Sequence, residues 1–179
     1  MELGIYTFGA TGRDPRPGEH ITVQQRTRNL LEEIELADQL GLDVFGVGEH
    51  HRPAYVADER RRAADEWFAS FAQTMNRIGR ERGWPPLTRQ QYDASLHLRG
   101  ANVVGSPEEV AEKILWQHEI FGHDRTLLQF SVGPLPHADV MHSIELFGTK
   151  VAPIVREEVA RRATSAGTGP ERASTNRRS

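Results

Sequence analysis

The chain of 179 residues contains no cysteine. That absence excludes disulfides, thiolate nucleophiles, and zinc or iron–sulfur centres held by thiolates. It also lacks a basic excess: 22 basic side chains stand against 25 acidic ones, a formal net charge of −3. A general binder of nucleic acid or of anionic membrane would carry the opposite balance. No apolar run approaches the roughly 18 residues that cross a bilayer. The opening MELGIYTFGATG has no basic segment followed by an apolar one, so a cytoplasmic address is the expectation. The glycines form neither G-x-G-x-x-G nor G-x-x-x-x-G-K-[ST], and there is no G-x-S-x-G and no H-E-x-x-H. Dinucleotide loops, nucleoside triphosphate loops, nucleophile elbows and the common zinc-helix motif are thus unsupported.

What is present reads as alternating strand and helix. Glu2–Phe8 is a short β-rich run. Thr22 opens a helix with Gln25 three residues on, a T-x-x-Q capping box. Leu30, Leu31, Ile34, Ala37 and Leu40 recur at helical spacing and are expected to form its buried face. Gly41 suits the left-handed position after the helix, and Val44–Val47 follows as a buried strand. Strand, helix, strand within fifty residues implies parallel pairing through a right-handed crossover. Ala57–Arg82 is a charged amphipathic helix with Phe68, Phe71, Met75 and Ile78 as its stripe. A short helical turn is possible after Thr88, and Ala101–Val104 is a short apolar run. Ser106-Pro107-Glu108-Glu109 is a helix start with Ser as cap, Pro at the first position and Glu at the third. Thr126–Val132 is a second core strand. A helix over His137–Phe147 is interrupted at Gly148 and continues over Val151–Ala163. One domain is expected over 1–163, with a disordered tail over 164–179. The fold class is α/β with parallel strands.

Ligands of parallel α/β folds bind beyond the carboxyl ends of the strands, where loops and helix N-termini converge. Gly48-Glu49-His50-His51 lies at such an end. Histidine moves protons near neutral pH, and a neighbouring carboxylate can fix its ring. The alternative is structural: Glu49 pairs with Arg52 while the histidines satisfy backbone groups. A metal site would need a further ligand from elsewhere in the chain. Thr7 and Phe8 end the first strand, and Gln129 and Ser131 lie at the end of the late one; on residues alone both read as plain strand exits.

MELGIYTFG and LLEEIELADQLGLDVFGVGEHHRP resemble the N-terminal part of the bacterial luciferase-like flavin-dependent monooxygenases. AADEWFASFAQTMNRIGRERGWPP and the stretch from GSPEEVAEKILWQ to TKVAPIVR resemble the C-terminal part of the same family. The resemblance implies a (β/α)8 TIM barrel binding reduced FMN at its C-terminal face. It implies activation of O2 by that flavin and oxygenation of a small-molecule organic substrate, with a flavin reductase as possible supplier. It makes His50 the catalytic acid/base with Glu49 and His51 beside it. Thr7, Phe8, Gln129 and Ser131 become the candidate cofactor-binding residues, and no metal is implied.

The chain is too short for the whole of that fold, which takes roughly 250 residues. After EHHRP, near residues 53–56, the sequence passes directly to a helix that belongs late in the family. The fold implied is therefore a partial barrel: strands 1, 2 and 8 in the order 8-1-2, with helices on the outer face. Two unpaired edges and an exposed apolar inner face would follow, and with them a homo-oligomer. Most of the flavin cradle would be missing, so the alternative function is a non-catalytic remnant without a flavin site.

Overall fold

The computed structural model describes residues 1–7, 22–47, 52–130 and 132–167. Five strands form one parallel sheet: β1 (Glu2–Thr7), β2 (Val44–Val47), β3 (Arg52–Val56), β4 (Val103–Gly105) and β5 (Arg125–Gln129). Their order is β2-β1-β5-β3-β4. The helices are α1 (Val23–Gln39), α2 (Arg60–Arg82), α3 (Arg89–Ser95), α4 (Pro107–Phe121), α5 (His137–Leu146) and α6 (Ala152–Gly167). The parallel α/β class is as expected. The strands expected as barrel strands 8, 1 and 2 stand side by side in that order, as β5, β1 and β2.

The sheet is wider than expected. β3 runs through the segment where the family pattern breaks, and β4 comes from the short apolar run before Ser106. Neither has the length or alternation that marks a strand in sequence. β3 pairs with β4 from Ala54↔Val103 to Val56↔Gly105, but with β5 only at Arg52↔Leu128 and Pro53↔Gln129. Because Leu128 is level with Ile5 and Val47 with Thr7, β3 begins close to the level at which β2 ends. That offset is what allows two parallel strands to be separated by only four residues.

Register decides which side chains share a face. Leu3, Ile5 and Thr7 lie with Thr126, Leu128 and Phe130; Tyr6 lies with Leu127 and Gln129 on the other side. α1 reaches the first face, where Arg26 bonds Thr7, and Phe130 meets Phe147 there at 5.4 Å. Tyr55, which alternation turns to the opposite face, bonds Glu66 of α2. Helices therefore meet both faces rather than the outer one alone. Tyr6 and Gln129 are buried, so the inner face is not left bare at these positions.

Several elements begin and end as their residues dictate. Thr22 caps α1 by accepting from the Gln25 N–H at 3.1 Å; the Gln25 side chain bonds Asn29 instead of closing the box. Thr88–Gln91 and Ser106–Glu109 each form a complete capping box. Gly41 takes φ +68° after α1.

Other expectations are corrected. β2 is an edge strand, half-buried, with Val47 59% exposed. The deepest face of α1 is Arg26, Asn29, Glu33 and Ala37, while Leu31 is 56% exposed. On α2 the buried stripe centres on Trp67 and Phe71, stacked at 4.5 Å, rather than on Met75 and Ile78. Gly148 does not interrupt the late helix: a π turn over Phe147–Val151 joins α5 to α6. A Cβ on Gly148 would come within 2.6 Å of the Leu40 side chain, so glycine lets this turn lie against the end of α1. α6 extends to Gly167, four residues into the expected tail.

Candidate functional site

The carboxyl edge of β1 and β5 carries the described part of the site. Glu49, His50, His51, Phe8 and Ser131 lie outside the described residues. Thr7 and Gln129 lie within them, and both are buried. They do not meet on one face. Gln129 is in register with Tyr6, so the next position, Thr7, points to the opposite side of the sheet.

Thr7 belongs to a network that sequence reading missed. Its hydroxyl accepts from Arg26 Nη2 at 3.2 Å. The same guanidinium donates to both carboxylate oxygens of Glu33, at 2.7 and 3.3 Å. The Arg26 and Glu33 side chains are 10% and 3% exposed. A two-point guanidinium–carboxylate contact fixes both orientation and charge balance. His137, the first residue of α5, joins from the side: Nε2 lies 2.9 Å from Glu32 and Nδ1 3.5 Å from Glu33. The hydrogen bond to Glu32 holds the ring, with its other nitrogen turned toward Glu33.

Arg26, Asn29 and Glu33 follow the i, i+3, i+7 spacing of a buried helix face. Apolar periodicity assigned that face to the leucines nearby. A polar set at the same spacing was the available signal.

The exit of β3 holds a second group of titratable side chains. Tyr55 donates to Glu66 at 2.8 Å, and burial, reinforced by that carboxylate, pushes its phenol well above the ordinary range. It is a fixed donor at neutral pH, not an acid/base group. His142 bonds Asp58 at 3.0 Å, and that bond holds the Asp58 carboxyl below its usual value. Among the described residues there is no group of three or more His, Asp or Glu that could hold a metal ion. Nor is any described helix long and apolar enough to cross a membrane.

Fold and edge together define a parallel α/β protein with a polar, partly ionised strand end. No family model matches the chain, and no curated protein matches it. Among solved structures it is similar to the monooxygenase RslO1 from Streptomyces bottropensis, with 17% identity and a TM-score of 0.43. The alignment covers 70% of this chain and 39% of that one, so the chain spans well under half of that neighbour's length.

Proposed function

We propose that the chain is a luciferase-like oxidoreductase using reduced FMN and O2 to oxygenate a small organic substrate at the carboxyl edge of β1, β2 and β5. The observation that carries this reading is the neighbouring order β5-β1-β2. It agrees with the 8-1-2 order implied by the resemblance, and the Glu49-His50-His51 segment follows directly on β2 in sequence. Bound FMN would supply the activation of O2. On the chain's side, Gln129 has the hydrogen-bonding amide to meet the polar rim of a flavin ring, from the face it shares with Tyr6. Thr7, tied to Arg26, fixes the end of β1, and His50 would move the proton.

A second reading is favoured by one observation. Arg26, a buried cation beside this edge, is already matched by Glu33. A phosphate would have to find its counter-charge elsewhere. On that reading the chain keeps the fold without a flavin site.

Titration of the purified chain with FMN and with reduced FMN under nitrogen separates the two. The oxidoreductase reading expects saturable binding of the reduced form. It also expects His50→Ala to keep that binding while losing about 100-fold or more in turnover. Absence of binding in both redox states would establish the second reading, and equal loss of binding and turnover would remove His50 from its role.

A further inference from the structure

We propose that the outward face of α1 is a two-fold interface at which a second copy of this chain packs, helix against helix in antiparallel sense, centred on Leu31. This inference is independent of the flavin reading. Its starting point is the register of α1: Arg26, Asn29, Glu33 and Ala37 face inward, which turns Leu31 out to 56% exposure and leaves Leu30 and Ile34 half-buried. Leu31, with the half-buried Leu30 and Ile34 beside it, gives this solvent-facing side of α1 an aliphatic centre.

The charges around the patch identify the occupant. Arg28 lies three residues before Leu31 and Glu35 four residues after it, and both are exposed. Neither is engaged in an ion pair among the described residues, although exposed arginines and carboxylates elsewhere in the fold, such as Arg62 with Asp58 and Arg89 with Asp65, are paired. Seven residues separate them, about 10 Å along a helix axis, so they do not pair with each other. A two-fold axis through Leu31 reverses the second helix. Arg28 of each copy then comes within one residue, about 1.5 Å along the axis, of the position opposite Glu35 of the other, well within the reach of the two side chains, on either side of a Leu31–Leu31 contact. Gln24 and Asp38, each seven residues from Leu31 and exposed, are brought together in the same way. The surface is complementary to itself, as an isologous interface requires. An unrelated partner would have to reproduce that alternation of charge, apolar residue and opposite charge in reverse.

The test is sedimentation of the full chain over a concentration series, with four variants checked for unchanged circular dichroism. The wild type is expected to associate to a dimer. Leu31→Arg should abolish association, and R28E or E35R alone should each weaken it about 10-fold or more by setting like charges against one another. The double variant R28E/E35R should restore association, because the pairs form between copies and not within one. A wild type that stays monomeric to millimolar concentration overturns the proposal. So does a dimer indifferent to Leu31→Arg, or one that the double reversal fails to rescue.

Discussion

At the scale of single residues, the least replaceable side chain of the described site is Glu33. It is buried, and both of its oxygens accept from Arg26, which is itself buried and bonded to Thr7. Glu33→Gln keeps the shape but leaves an arginine cation away from water without its counter-charge. Breaking a buried pair on one side costs about 3–5 kcal/mol. Urea unfolding should show that loss, and the paired change Arg26→Met with Glu33→Leu should recover much of it, because an apolar pair of similar volume needs no charge compensation. A Glu33→Gln chain as stable as the wild type would mean that water reaches Arg26 and that the pair does not organise the strand end.

At the scale of elements, what was legible in sequence was local chemistry, and what was not was orientation. Thr22, Thr88 and Ser106 announce their helices because a cap acts within one turn. β3 could not be read: Arg52–Val56 is five residues with a proline, and only its neighbours β4 and β5 make it a strand. The inward face of α1 was misread because its polar residues are satisfied by one another and by Thr7, a tertiary fact that periodicity does not contain. For the site, the position of Thr7 and Gln129 at strand ends was legible, but their opposite faces follow only from the register.

The junction of α1 with β2 gives a pH test at this scale. Asp43 Oδ2 accepts from the Leu3 N–H at 2.8 Å and from Arg156 of α6 at 2.9 Å, tying two strands to a helix. The Leu3 bond, against a smaller opposing effect of burial and aided by Arg156, holds its carboxyl below the ordinary value. A depressed folded value means the contribution is complete above the unfolded value and is lost as pH falls through the folded one. The urea midpoint should therefore hold steady from neutrality to about pH 5 and fall below about pH 4. Asp43→Asn should lower it at neutral pH and flatten part of the acid limb. Parallel curves for variant and wild type would remove Asp43 from the linkage.

At the scale of the whole molecule, the sheet has a seam. β1 pairs with β5 at five positions and with β2 at four, but β5 meets β3 at two, and Pro53 brings no N–H to that ladder. The halves β2-β1-β5 and β3-β4 must then be joined mainly by what crosses between them. Two buried serines do so. The Val56 N–H, beyond the reach of β5, donates to Ser143 Oγ of α5 at 2.8 Å; Ser70 Oγ of α2 donates to the Val132 carbonyl, just past β5, at 2.6 Å. The two bonds differ in what their removal leaves behind. Ser143→Ala strands a backbone N–H in the interior, at a cost of about 1–3 kcal/mol. Ser70→Ala strands a carbonyl, a group that tolerates incomplete pairing better. Ser143→Ala should therefore be the more destabilising of the two. Hydrogen exchange should show its effect first at Val56 and along β3 and β4, with β1 and β2 still protected. Equal costs for both, or loss of protection spread evenly over all five strands, would mean that the sheet opens as one unit and that the short β3–β5 ladder is no weak line.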